Sequence, residues 1–525
     1  MADFDAVIVG SGVNALACAA LLAKGGWRVC VLERNDRFGG CIRTEELTEP
    51  GYLHDTLSAW HPLWVGGAAH AQLGDDLAQR GLEYLNTDLP TGTAFPDGSA
   101  AFLLRDADGN AQELGEEWRG VLERFFPNAD LAFGVLGTEL WSQAGLAFGA
   151  KALRRFGRTG AAAFTGELLQ TSRDWLEQTF ASPKAHGVLA PWVLHTGLGP
   201  DSATSGFMTQ VIAVAVQEGG MPIPRGGGVK LAEALVQLIR DHGGRCETGV
   251  DVERVVVEMG RATAVRTTDG DTVSAERAVV ASVTPTQLYE RLLPDAPERV
   301  REGARNFRYG RAEMQIHFAL SEPARWEGDE RLNRTAIVHV TPGLDGVSKA
   351  VNEAERGLLP EEATIVVGQP LTIDPSRAPD GKGLLWIQLQ ELPRRFDWND
   401  DARERYADRI QERLARHIPN LESSIVKRVA LGPHDLERLN VNLVGGDPYG
   451  GALSLDQNFL WRPFAQSPGH RTPVERLWHI GASTWPGPGL GGGSGTLVAQ
   501  ELLRPTLTQR LLPAFKQAAA FRARR

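Results

Sequence analysis

The stretch Asp5–Glu33, DAVIVGSGVNALACAALLAKGGWRVCVLE, decides the fold. DAVIVG opens as a continuous apolar run with β-branched residues, the pattern of a strand buried on both faces. VNALACAALLAKGG is rich in alanine and leucine and closes on glycine, which predicts a helix with a C-terminal stop. RVCVLE predicts a second buried strand. Strand, turn, helix and strand in about thirty residues make a βαβ unit and imply an α/β fold.

The turn inside this unit carries chemistry. Gly10, Gly12 and Ala15 stand in G-x-G-x-x-A spacing, a weak signal alone in a chain with 59 glycines. Its place between a buried strand and a helix strengthens it. Gly10 permits the tight turn, Gly12 lets backbone approach a pyrophosphate, and Ala15 lets helix and strand pack closely. The helix start at Val13 and Asn14 would offer free N–H groups and partial positive charge to phosphates. Glu33, followed by Arg34, ends the second strand where a carboxylate accepts hydrogen bonds from ribose hydroxyls. The alternative is an ordinary tight βα turn.

Working outward, 525 residues as a soft prior allow two to four domains, with 42% hydrophobic and 23% charged residues in the ordinary globular range. A formal net charge of −10 with no basic run argues against a nucleic-acid partner, and the terminal FRARR is expected to be a solvated tail. Cys18, Cys30, Cys41 and Cys246 form no C-x-x-C pair, which fits reduced thiols in a cytoplasmic protein. No targeting segment and no bilayer-length apolar run is apparent, while peripheral membrane contact stays open. Histidine spacing suggests no metal site. Nothing matches G-x-S-x-G, H-E-x-x-H or a P-loop.

The segment from about 75 to 218 reads as helix-rich, with amphipathic pieces EEWRGVLERFF and SRDWLEQTF. GGVKLAEALVQLIRDHGG predicts a helix, and residues 246–282 predict short strands with a hairpin turn at TDGDT. LLWIQLQELP predicts a strand and DDARERYADRIQERLARHIP a charged helix. The stretch from about 327 to 365 has no strong periodicity and reads as loop-like.

Directly after Glu33 comes RNDRFGGCIRT, where Gly39 and Gly40 make a second point of close backbone approach. Near the C-terminus, RLWHIGASTWPGPGLGGGSGTLVAQELL sets a glycine-rich run between an apolar strand and an apolar helix, which argues against a free linker. Together these motifs resemble the FAD-binding amine oxidase and phytoene desaturase superfamily. IPRGGGVKLAEALVQLIRDHGGRCETGVDVERV resembles the return to its flavin domain. The phrases ALSLDQ, RP, RTPV, GAST and PGPGLGG resemble its carotene-ketolase-like branch in order, as does LTIDPSRAPDGKG.

The resemblance implies a Rossmann-type (GR2-like) FAD-binding domain from residues 1–75, 219–290 and 441–525. A discontinuous α+β substrate domain would come from 76–218 and 291–440. It implies that Arg43, with Thr44 beside it, reaches the pyrophosphate, and that Val252 lays its backbone against the adenine. Gly481, Ala482, Gly489 and Leu490 would pass the flavin ring, with a helix from near Leu490 aimed at its pyrimidine end. Pro488 replaces the family's usual middle glycine and removes one N–H donor. No second G-x-G-x-x-G follows another strand, so a nicotinamide cofactor is not indicated. In GYLHDTLSAWHPLWVGG, Trp60, His61 and Trp64 are pocket candidates, with His61 a candidate base and Trp485 a wall near the flavin. Asp456 and Gln457 read as holding the last crossover.

The resemblance implies an FAD-dependent oxidoreductase that removes a hydride from a C–C or C–N bond of a hydrophobic small molecule. Its electrons would pass to oxygen or a quinone. An amine oxidase, a flavin-dependent isomerase and a non-catalytic flavin-binding interaction protein are the alternatives.

Overall fold

The first βαβ unit forms where the sequence predicts it: strand Phe4–Val9, helix Val13–Lys24 and strand Val29–Leu32. This is a computed structural model, and it describes residues 2–504; the FRARR tail lies outside the described residues. Around the unit grows a seven-stranded sheet. Its parallel part runs Arg245–Glu247, Val29–Leu32, Phe4–Val9, Thr272–Ser282 and Leu477–Ile480. Strand Thr272–Ser282 serves two neighbours in turn. Its first residues pair antiparallel with Arg261–Thr267 across the expected hairpin, and its later ones join the parallel part. Strand Val252–Glu258 completes the antiparallel edge.

Helices Val13–Lys24, Val229–Asp241 and Gly493–Leu503 pack with this sheet. Leu16, Leu22, Leu231, Leu235, Ile239 and Val498 share one core with Ile8 and Val31. The alanines of the first helix, nearly all buried, let its neighbours come close.

A second seven-stranded sheet has the order Ile425–Leu431, Ala312–Leu320, Gly383–Leu392, Ile365–Gly368, Ile337–Val340, Thr91–Ala94 and Ala100–Leu103. Two readings are corrected here. The loop-like stretch 327–365 holds strand Ile337–Val340, helix Leu344–Glu355 and the start of strand Ile365–Gly368. The strands are four residues long and wholly buried, so neither alternates polar and apolar residues in a readable way. The helix-rich segment likewise contributes two strands to this sheet. Helix Asp400–Ala415 forms as expected, and Tyr406, Ile410 and Leu414 pack on one sheet face with Met314, Ile316 and Leu385.

LTIDPSRAPDGKG acquires a structural role. The Arg377 guanidinium, fully buried, bonds Asp55 Oδ2 at 2.8 Å and Asp374 Oδ2 at 3.1 Å. Asp55 Oδ1 also accepts from Gly228 N at 2.9 Å, and Asp374 Oδ2 from Gly226 N at 2.7 Å. The triad thus ties the segment after the Gly-Gly clamp to the turn that opens helix Val229–Asp241. Removing the cation strands two buried carboxylates, so Arg377→Ala is expected to cost about 3–5 kcal/mol in denaturant unfolding. A cost below about 1 kcal/mol would contradict this role.

Candidate functional site

At the C-terminal ends of the parallel strands lies a cavity open to solvent. This is where open α/β sheets bind ligands. The three glycine-bearing stretches meet here. Gly10, Gly12, Val13 and Asn14 line it, as do Gly39 and Gly40, and Gly481, Ala482, Gly489 and Leu490. Glu33, Arg34 and Val252 line it too.

The glycines can be tested as a cradle. A Cβ on Gly12 would meet nothing within 4 Å, so a side chain there would project into free space beside the first helix. A Cβ on Gly40 would stand 3.0 Å from the Gly12 Cα, and Gly39 N donates to Ser11 O at 3.1 Å. The first two stretches are therefore in backbone contact. Gly10, with φ of +92°, would put a Cβ 3.1 Å from Ser282 O. Backbone approach and a helix N-terminus beside a lined cavity are what a dinucleotide's phosphates require. The residues present fit FAD.

Glu33 is buried and held firmly. Its Oε2 accepts from Ser11 N at 2.9 Å and Ser11 Oγ at 2.6 Å, and its Oε1 accepts from Asn35 N at 2.9 Å. Oε1 keeps a lone pair for a ribose hydroxyl. Arg291 fixes the next edge, donating to Asp251 Oδ2 at 2.5 Å and Val252 O at 3.2 Å.

The C-terminal run is built, not loose. Gly481 N donates to Ser494 Oγ at 3.1 Å, and the Ser494 and Thr484 hydroxyls bond at 2.7 Å. The following helix starts at Gly493, later than the expected Leu490, because Gly492 adopts φ of +64° and keeps the preceding residues out of the helix. Its first turn is engaged: Gly495 N donates to Asn14 Oδ1 at 3.3 Å. A Cβ on Gly495 would fall 1.8 Å from Asn14 O, so this glycine exists to let the last helix touch the first. Gly495→Ala must push the two apart and is expected to cost at least about 2 kcal/mol in thermal unfolding. An unchanged Tm would contradict it.

Several residues singled out from the sequence do not line the cavity. Ala15 is buried in the helix–sheet core. Arg43 turns to Glu45 at 2.9 Å, and Thr44 Oγ1 donates to Asp55 Oδ1 at 2.5 Å. His61 is fully buried with Nδ1 3.0 Å from Tyr84 Oη and Nε2 unpartnered; burial pushes it down to about 4, so it is neutral near pH 7. Trp60 packs edge-on against Trp386, ring centroids 5.2 Å apart. Trp485 donates its indole N–H to Val135 O and Thr138 O. Trp64 is buried in the core, and Gln457 bonds Arg308 O at 2.8 Å and Ala452 O at 3.1 Å, the bracing expected of it.

The sequence reading missed several lining residues. Asn440 and Asn442 reach the cavity from a segment that also binds Thr284 N through Asn442 Oδ1 at 3.0 Å. Pro448 and Gly450 line it from the turn Asp447–Gly451. Buried Arg462 fastens that turn to the last glycine stretch, donating to Tyr449 O at 2.9 Å and Ala482 O at 2.5 Å. Ser11, between two glycines, was the one legible signal.

Comparison with known proteins agrees with this geometry. Residues 16–472 match the family described as flavin containing amine oxidoreductase. Pyridine nucleotide-disulfide oxidoreductase domain-containing protein 2 of Mus musculus is 26% identical, over 96% of this chain and 94% of its own. The neurosporene-forming phytoene desaturase of Cereibacter sphaeroides is 23% identical, over 95% of this chain and 94% of its own. The solved cyclohexylamine oxidase of Brevibacterium oxydans IH-35A superposes with TM-score 0.57 at 19% identity, over 96% of this chain and 100% of its own. A cavity clamped by three backbone approaches and a family match across most of the chain lead to one conclusion: the protein belongs to the flavin containing amine oxidoreductases and is an FAD-dependent oxidoreductase.

Proposed function

We propose that this enzyme removes a hydride from a C–C or C–N bond of a small molecule with an apolar skeleton and delivers the electrons to oxygen or a quinone. The observation that carries the reading is the cavity on which Gly12, Gly40 and Gly481 converge. When bound, FAD supplies the hydride acceptor. The chain's own contribution is to bind, orient and exclude water, which suits a reaction that needs little acid–base help. Gly10–Ala15 would hold the pyrophosphate, Glu33 the ribose, and Gly481–Leu490 the ring. Arg34 and Val252, which line the cavity, complete the proposed cofactor set. Trp60 and Trp485 are proposed as chamber walls, with His61 a neutral hydrogen-bonding group behind them. Segments 1–75, 219–290 and 441–525 are assigned to the FAD domain, and 76–218 and 291–440 to the substrate domain. The relative named for phytoene desaturation favours C–C chemistry, and the solved neighbour named for cyclohexylamine oxidation favours C–N chemistry.

An anaerobic screen of the FAD-loaded protein against polyenes, amines and cyclic ketones tests this. Bleaching of the flavin by one class, and its return with oxygen or a quinone, is expected. Product of unchanged mass would indicate isomerisation instead, and a flavin that nothing bleaches would favour the binding-protein reading.

A further inference from the structure

The second sheet has two unlike faces. On one, Met314, Ile316, Phe318, Val338, Leu385 and Ile387 form an apolar core. Because strand side chains alternate, the other face receives Glu313, Gln315, His317, Gln388, Gln390 and His339. Thr91 and Thr93 continue it on the neighbouring strand. A covered sheet face is ordinarily apolar, because each buried polar atom needs a partner. Several here have none among the described residues: Gln315 Oε1, Gln390 Oε1, His339 Nδ1 and Thr91 Oγ1 are buried and unpartnered, as is Trp192 Nε1, whose ring lies 5.1 Å from His339.

This face adjoins the proposed flavin cavity along two routes. Glu313 Oε1 lies 2.8 Å from Tyr449 Oη, which also lies 2.8 Å from Leu194 O, and Tyr449 stands between Pro448 and Gly450, which line the cavity. Trp386 Nε1 donates to Leu57 O at 3.2 Å, next to lining residue Ser58. Gln388, on a central strand, and His195, which meets the face at Gln390 and His339, keep partial exposure while their chain neighbours are buried.

We propose that this face is the recognition wall of the substrate chamber, and that it selects a substrate whose apolar skeleton carries an uncharged hydrogen-bonding head such as a hydroxyl or carbonyl. The charge state of the wall decides the class. Gln388 Nε2 donates to Glu313 Oε2 at 2.7 Å and Tyr449 Oη lies 2.8 Å from Oε1, and burial pushes this carboxyl up to about 7, towards the neutral form that does not hold an ammonium. Arg311 spends its donors on Leu198 O, Gln390 O and Glu355, which leaves no free cation for a carboxylate. Burial holds His195 and His339 neutral. The histidines form a chain: Gln390 Nε2 lies 3.3 Å from His195 Nδ1, and His195 Nε2 lies 3.2 Å from His339 Nε2. Gln390 Nε2 donates, so His195 Nε2–H donates to His339 Nε2 and the chain ends on His339 Nδ1–H, a donor with no partner among the described residues. A hydroxyl or carbonyl oxygen accepts from that donor, and a hydroxyl can also donate to the buried Gln315 or Gln390 Oε1; a hydrocarbon does neither and leaves the wall's polar atoms unpaired. Trp60 and Trp386 supply the apolar side.

The proposal rests on the FAD reading, so FAD content is measured first; a chain that takes up no FAD contradicts that reading rather than this one. The FAD-loaded protein is then titrated with cyclohexanol, cyclohexane, cyclohexylamine and cyclohexanecarboxylate, following flavin absorbance and tryptophan fluorescence. Cyclohexanol is expected to saturate on the order of tenfold or more tighter than cyclohexane and than either charged analogue. His339→Phe and Gln390→Met, close in volume, are expected to erase that preference while FAD stoichiometry stays unchanged. Equal or tighter binding of cyclohexane, preference for the amine or the carboxylate, or saturation by none of the four would overturn the proposal. Should a variant fail to fold, the four wild-type affinities decide alone.

Discussion

Gly12→Leu will abolish flavin binding without unfolding the protein. The two halves of this expectation come from one measurement on the fold: a Cβ at position 12 meets no atom within 4 Å, yet the residue lines the cavity. The folded chain therefore accommodates a leucine, whose side chain occupies the space left for the phosphates and keeps them off the helix N-terminus. FAD affinity should fall on the order of a hundredfold or more, about 3 kcal/mol, while the Tm of the apo-protein moves by no more than about 2 °C. Gly495→Ala is the contrasting control, since its collision is with Asn14 O inside the packed helices. Normal FAD affinity in Gly12→Leu would mean that the phosphates lie elsewhere.

Acidification will destabilise the fold well above the range of ordinary carboxylate titration. Burial pushes His54 down to about 2, His61, His195, His317 and His479 to about 4, and His339 well below its usual value. Each folded pKa lies below the unfolded 6.5, so the unfolded chain binds the proton first, and stability present above pH 6.5 is lost as pH falls towards 4. Burial moves Glu313 and Glu391 the other way, up to about 7. Their folded pKa exceeds the unfolded value, so their contribution is present at low pH and lost as pH rises through 7. Between pH 7 and 5.5 the two groups oppose each other, and the six histidines outweigh the two carboxyls by roughly 4 kcal/mol. That is a large part of an ordinary domain's stability of about 5–15 kcal/mol. Thermal melts should show Tm dropping by roughly 3–5 °C from pH 7 to 5.5. A flat or rising Tm over that interval would contradict the burial of these imidazoles.

The first sheet was legible because its information is local. Phe4–Leu32 carries strand, turn, helix and strand in one short window, and each glycine in it has a geometric duty. The second sheet was not, because its neighbours are remote: Thr91–Ala94 pairs with Ile337–Val340 across more than two hundred residues, and no periodicity records that pairing. Helix Leu344–Glu355 was missed although Leu344, Val347, Val351 and Ala354 fall on one face at helical spacing. In the site, backbone approach was readable from glycine. Side-chain contributions from Asn440 and Asn442 were not, as asparagine between apolar residues has many ordinary uses. The glycine-rich run at 481–495 proved to combine two demands: Gly481 and Gly489 line the cavity, and Gly495 brings the last helix onto the first.

The central claim, that three backbone clamps hold one FAD, is tested most directly by titrating apo-protein with FAD and, separately, with NADH, followed by flavin fluorescence and calorimetry. Saturable binding of one FAD per chain is expected, with a flavin absorption spectrum in the purified complex and no saturable NADH site. A colourless protein that FAD does not reconstitute, or one that binds NADH in its place, would contradict it.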